Sequence, residues 1–219
     1  SFEEIAFNPN AWFDHQYPLQ NNCCQPPVLL YNGTSRNDAY YHSHSGYDYG
    51  IRHGVYFNTP VLAASAGWAT FIPSSHSGGA GNIIKIDHEN GYQTWYEHLR
   101  DNTTIVQHQE EKVFVTKGQE IGRTGFTGNA YPQDERGAHI HFSVFRDNNK
   151  NGSFNDDYPY GLVDPLGWSA DYVDPWTIYG IGDKTGSTSY PLFLAQEKQK
   201  QVQISQENAE LKNVKATVN

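Results

Sequence analysis

Residues 137–146 run Gly137, Ala138, His139, Ile140, His141, Phe142, Ser143, Val144, Phe145, Arg146, and this run sets narrow terms for the fold. Its wealth of Ile, Phe and Val predicts a β-strand, on which side chains two apart share a face. His139 and His141 therefore look into one site. A second strand is predicted over Thr94, Trp95, Tyr96, Glu97, His98 and Leu99, with Thr94, Tyr96 and His98 on one face and Trp95, Glu97 and Leu99 on the other. The first of these faces puts His98 beside the histidine pair. His44 and Asp48 lie in a run of Ser, Gly and Tyr that reads as a loop feeding a strand, which suits side chains that must be freely aimed. An aromatic content of 14% with 20 glycines and 11 prolines favours a turn-rich β protein over a helical one.

The clustered residue types suit one chemistry. Two imidazoles and a carboxylate are good ligands for Zn2+, whose catalytic sites use three protein ligands and keep a fourth position open. Such a set leaves the ion cationic enough to bring a water to a pKa of about 7. Two more histidines remain for proton transfer. A His-x-His pair alone is weak support, because ten histidines in 219 residues fall two apart by chance often enough.

The surrounding text strengthens it. After His44-Ser45-Gly46-Tyr47-Asp48 come Thr59-Pro60-Val61, Ala63-Ala64, Gly67, Gly81-Asn82-Ile83-Ile84-Lys85-Ile86-Asp87-His88 and Asn90-Gly91. Tyr96-Glu97-His98-Leu99, Lys117-Gly118-Gln119-Glu120-Ile121-Gly122, Thr124-Gly125, Thr127-Gly128 and His139-Ile140-His141-Phe142 follow. In that order the chain resembles the lysostaphin-type or LytM-type zinc metallopeptidases, which cut peptide bonds in bacterial peptidoglycan. The resemblance covers about residues 41–168. It implies His44, Asp48 and His141 as zinc ligands and His139 and His98 as the catalytic pair. It also implies a mainly β, compact antiparallel sheet assembly with an open active-site groove.

Three features depart from that family's pattern. Ser143 stands where an acid is common, without expected effect on the metal. Residues 129–138 form a longer polar stretch, read as a groove wall. His42 precedes the first motif and is a rival ligand to His44. No His-Glu-x-x-His is present, so a histidine and not a glutamate must serve as general base.

Organisation beyond this core reads as an N-terminal arm over residues 1–40, the metallopeptidase domain over 41–168 and a C-terminal extension over 169–219. The arm packs on the core and includes a strand near Val28. The extension ends in a polar tail, helical or disordered. Asp147, Asn149 and Asn151 match the first half of a calcium loop, but Tyr158 stands where its bidentate glutamate belongs, and the rival reading is a plain polar hairpin tip. The adjacent Cys23 and Cys24 are two loop thiols, partners of another chain or a strained vicinal bridge. Val163-Asp164-Pro165 and Val173-Asp174-Pro175 each precede a tryptophan, Trp168 and Trp176, which read as anchors pinning the extension, with glycan platforms as the alternative. His15, His53, His76, His88 and His108 read as surface or turn histidines.

The net charge of −9 argues against nucleic acid, and no apolar stretch of about 18 residues offers a membrane span. Together with the resemblance, these features imply an extracytoplasmic monomer, made with a signal peptide since removed, that acts on peptidoglycan cross-bridges or stem peptides. The competing functions are a noncatalytic wall-binding or regulatory module and a zinc peptidase of other glycine-rich extracellular proteins.

Overall fold

The structure, a computed structural model, describes residues 9–16, 27–37, 44–51, 54–154 and 161–179. Cys23, Cys24, His42, His53 and the polar tail lie outside the described residues. The fold is mainly β and antiparallel. Its strands are β1 (Val28–Leu29), β2 (Ser35–Arg36), β3 (Tyr47–Gly50), β4 (Pro60–Leu62), β5 (Gly67–Ile72), β6 (Asn82–Asp87), β7 (Tyr92–Leu99), β8 (Val113–Val115), β9 (Glu120–Arg123), β10 (His139–Arg146) and β11 (Leu162–Val163).

Among the described residues, seven strands form one sheet in the order β11-β10-β7-β6-β5-β8, with β3 also paired to β10. Two small antiparallel pairs, β1-β2 and β4-β9, stand apart from it. β10 is the strand on which the site is built. It meets β7 through residues 141–146 on one edge, and β3 and β11 on the other.

The long strands alternate as a half-buried sheet requires. Ile140, Tyr96, Ile84 and Ile86 turn into the core with Leu99, Val115 and Ile121. Tyr47, Tyr92 and Val144 continue that face into a second cluster with Phe13, Leu162, Val163 and Trp176. His139, His141 and Ser143 occupy the opposite face of β10, as the period of two demands.

That period breaks at one place. Thr94 and Tyr96 point into the core, so strict alternation would bury His98 beside them, away from His139 and His141. Asn82 pairs with Leu99 while Ile84 pairs with Tyr96, so β7 carries one residue more than β6 over this step. That is a β-bulge. His98 takes up the extra residue at φ 60°, a left-handed conformation uncommon outside glycine. Leu99 thereby enters the core and His98 turns to the site face, which exchanges the faces expected for these two residues.

The segment before β1 lies against β3. Ala11 bridges Asp48, with Asp48 N donating to Ala11 O and Asn10 N to Asp48 O. Trp168 and Trp176 are buried, and Trp176 Nε1 donates to Leu162 O at 2.8 Å, so both are anchors.

Two histidines expected at the surface are interior. His88 is buried, donating Nδ1–H to Ala66 O and meeting the Thr94 hydroxyl. His15 is buried between two carboxylates, with Nδ1 2.8 Å from Asp174 Oδ1 and Nε2 2.8 Å from Asp164 Oδ2. Burial opposes a charged imidazole, but the hydrogen bonds and charges of Asp164 and Asp174 outweigh it and raise His15 to about 9. The two Asp-Pro motifs thus converge on one buried cation, which ties the N-terminal segment to the chain after β11.

Candidate active site

Asp48 on β3 stands opposite His141 on β10, and opposed residues of an antiparallel pair share a face. His44, three residues before β3, completes the group. His44, Asp48 and His141 are the one set of three His, Cys, Asp or Glu donors among the described residues that could hold a metal ion. His141 Nδ1 lies 2.9 Å from Asp48 Oδ1 and 3.0 Å from His44 Nε2, and His44 Nε2 lies 3.3 Å from Asp48 Oδ1. A tetrahedral zinc with bonds of about 2.0–2.1 Å has ligand edges of about 3.3 Å. The triangle is close to that size.

Each imidazole is oriented through its other nitrogen. A carbonyl oxygen can only accept, so a ring nitrogen facing one donates. His44 Nδ1 donates to Trp12 O at 3.1 Å, His98 Nδ1 to Thr127 O at 2.8 Å and His139 Nδ1 to Gly137 O at 2.8 Å. His141 Nε2 is 2.8 Å from Ser143 Oγ, whose own proton goes to Ser45 O, so Ser143 accepts. In neutral form all four rings are therefore the tautomer that presents an unprotonated nitrogen to the site. Ser143, expected to be without effect, is the residue that orients His141.

His98 and His139 face each other with ring centroids 4.5 Å apart, and His139 Nε2 is 3.9 Å from Asp48 Oδ1. Burial and the neighbouring His139 lower His98 to about 4, so it is neutral at pH 7 and able to accept a proton. Asp48 is buried, yet His44 and His141 hold its carboxyl well below the usual carboxylate range. Burial also opposes charge on His141, but Glu97 and Asp48 outweigh it and raise the ring to about 9. The cluster favours a positive charge at its centre.

Gly46 permits this closeness. A Cβ there would lie 2.4 Å from Phe142 O, 2.7 Å from Ser143 Oγ and 2.8 Å from His141 Nε2, distances real side chains do not tolerate. A cavity of about 280 Å³ is lined by Phe57, Phe126 and Arg100 together with Asp101 and Asn102, and by none of the five site side chains, with the Arg100 guanidinium 5.0 Å over the Phe57 ring. Thr127, whose carbonyl holds His98, also lines it. The stretch 129–138 runs from Asn129, which donates to Gly79 O, to the 3-10 turn Glu135–Gly137 that ends on the carbonyl holding His139.

The proposed calcium ligands behave differently. Asp147 accepts from Asn151 N and Gly152 N, Asn149 from Asn151 N and Asn151 from Ser153 N. These oxygens close a turn on its own backbone, as Asx residues commonly do, and calcium gains no support.

Sequence reasoning named all five side chains brought together here. It missed Ser143, Glu97 and the carbonyls of Trp12, Thr127 and Gly137, which carry no sequence signal because any residue supplies a carbonyl.

An antiparallel sheet bearing a His-Asp-His donor set that could hold a metal ion, with a histidine pair facing it, is the architecture the geometry defines. The chain belongs to peptidase family M23, whose model matches residues 42–153, just over half of it. It is 36% identical over 101 residues to the DD-carboxypeptidase/endopeptidase Mpg of Neisseria meningitidis serogroup B, and equally to that of Neisseria gonorrhoeae. Each match covers 46% of this chain and 20% of the relative, so the aligned region spans about a fifth of the curated relatives' length. Among solved structures, the catalytic domain of the antimicrobial peptidase lysostaphin from Staphylococcus simulans is 24% identical, covering 76% of this chain and 95% of that one with a TM-score of 0.45. A zinc-containing peptidase from Vibrio cholerae is 23% identical, covering 62% and 37% with a TM-score of 0.38.

Proposed function

We propose that this chain is a zinc-dependent endopeptidase that hydrolyses peptide bonds in the cross-bridges or stem peptides of bacterial peptidoglycan. The observation that carries the proposal is the convergence of four imidazoles, each anchored through one nitrogen, around the Asp48 carboxylate. His44 Nε2, Asp48 Oδ1 and His141 Nδ1 would hold the ion. Outer partners such as Trp12 O and Ser143 Oγ fix the tautomer and ring orientation of metal-binding histidines. When bound, zinc polarises a carbonyl and lowers the pKa of a water to about 7.

The rest falls to the chain's own groups. His98, neutral at pH 7, takes a proton at Nε2 as the peptide carbonyl is attacked. His139 Nε2, held toward the same space by Gly137 O, is the alternative acceptor of that proton, and whichever ring takes it becomes the cation that stabilises the oxyanion. The stretch 129–138, which ends on the carbonyl holding His139, bounds the groove. Membership of a peptidase family supports hydrolysis, and the DD-carboxypeptidase/endopeptidase name of the Mpg relatives is consistent with it. We place the protein outside the cytoplasm, where that substrate lies.

Purified peptidoglycans of several cross-link types, digested by the zinc-loaded protein and by His98→Ala, test the proposal through mass spectrometry of released fragments. New termini at one defined bond, absent with the variant, are expected. Zinc uptake without cleavage of any wall type would overturn it.

A further inference from the structure

Glu97 has no place in the chemistry above, yet it stands at its centre. In the β7-β10 pair it lies directly opposite His141, as Asp48 does in the β3-β10 pair. Opposed residues of antiparallel strands carry Cβ atoms about 4.5–5.5 Å apart on one face. His141 is thus flanked by a carboxylate-bearing residue on each neighbouring strand. The placement is independent of the bulge, because β7 changes face only at the following residue.

The Glu97 carboxyl is half-buried, and its surroundings are the metal-capable group itself: it interacts electrostatically with His141, Asp48 and His44, with no hydrogen bond to another described residue contributing. Desolvation raises its carboxyl above the ordinary value, with His141 and His44 acting against it and the like charge of Asp48 adding to it. A carboxylate so placed costs stability unless a cation lies beside it. It is not itself one of the donors close enough to share an ion.

We propose that Glu97 is an outer carboxylate of the metal centre: without ligating, it faces His141 across the strand pair and adds the negative charge that tightens cation binding by His44, Asp48 and His141. The inference rests on the zinc reading above. It separates two roles that activity alone would merge. A strand residue with a merely structural role stabilises the fold with or without metal. An outer carboxylate stabilises the metal-loaded protein more than the metal-free one.

The test uses the full chain with Glu97→Gln and Glu97→Asp, reading zinc affinity by competition with a chromophoric chelator and thermal unfolding with and without zinc. Removing an outer-shell partner typically costs 10–100-fold in metal affinity, so E97Q should raise the zinc Kd roughly tenfold or more. E97D, which keeps the charge, should recover most of that loss. E97Q should lose more thermal stability with zinc bound than without it. Equal zinc affinity in E97Q and wild type would overturn the inference while leaving the zinc site standing. A loss of thermal stability in E97Q that is the same with and without zinc would also overturn it, by making Glu97 structural. Wild-type protein that takes up no zinc would overturn both readings.

Discussion

Replacing His15 by alanine removes the cation between Asp164 and Asp174, and the structure sets the size of the effect. All three side chains are essentially inaccessible, at 2%, 1% and 2% relative exposure. The His15 pKa rises from 6.5 to about 9. At about 1.4 kcal/mol per unit this corresponds to about 3 kcal/mol of folding stability held by the bound proton. The figure agrees with the roughly 3–5 kcal/mol typical of stripping one partner from a buried ion pair. The sign is fixed by linkage. A raised pKa means the contribution is fully present below pH 6.5 and is lost as pH climbs through about 9. Urea unfolding across pH 6 to 10 should therefore show H15A less stable by about 3 kcal/mol at the acid end, with the gap to wild type narrowing toward pH 9–10. Trp168, whose ring centroid is 4.8 Å from that of His15, is a built-in fluorescent reporter. A gap below about 1 kcal/mol, or one that does not change with pH, would refute the reasoning. The expected phenotype is first of all on stability, since the partners of the His15 ring are Asp164 and Asp174.

Other outcomes follow from the same geometry. Asp48→Asn and His141→Ala should each abolish stoichiometric zinc binding measured by metal analysis after gel filtration, and chelation should abolish activity that zinc restores. His98→Ala should retain zinc yet lose roughly two orders of magnitude or more in kcat/KM, the scale of a lost acid–base group; loss of zinc instead would reassign His98 as a ligand. Gly46→Ala forces a methyl against Phe142 O, Ser143 Oγ and His141 Nε2, so it should cost about 1–3 kcal/mol by overpacking and weaken zinc binding together with stability. Ser143→Ala leaves His141 Nε2 without its acceptor and should weaken zinc binding by roughly tenfold, read by the same chelator competition.

Much of the site is legible before any fold is drawn. The pairing of His139 with His141 needs only the two-residue period of a strand, because both side chains ride on one backbone. His44 and Asp48 are close in sequence, and their types identify them as donors. The β class follows from aromatic, glycine and proline content and from two alternating runs. The same alternation misleads at His98. It groups that histidine with Thr94 and Tyr96, which are core residues, and the right neighbourhood was reached for the wrong reason. The bulge that corrects it arises in the match between β6 and β7, two segments whose register no single window contains.

Burial of His15 and His88 was hidden for a related reason. A histidine in a polar segment reads as exposed; for His15 it is the convergence of Asp164 and Asp174, about 150 residues away in sequence, that permits burial, and for His88 it is Ala66 O and the Thr94 hydroxyl. The echo of the two Asp-Pro motifs was visible, but its purpose was not. From the residues alone come the chemical types on offer, donors suited to a metal and imidazoles suited to a proton, and the strands that carry His98, His139 and His141; Asp48 reads as a loop residue and lies on β3 instead. Tertiary structure alone decided how that chemistry is aimed, through a bulge at His98, a carboxylate-bearing Glu97 opposite His141 and the carbonyls that set each imidazole's tautomer. The division has a physical basis. Ligand and acid–base character belong to the side chain and travel with the residue, whereas orientation and charge environment are set by groups that meet only when distant strands come into register.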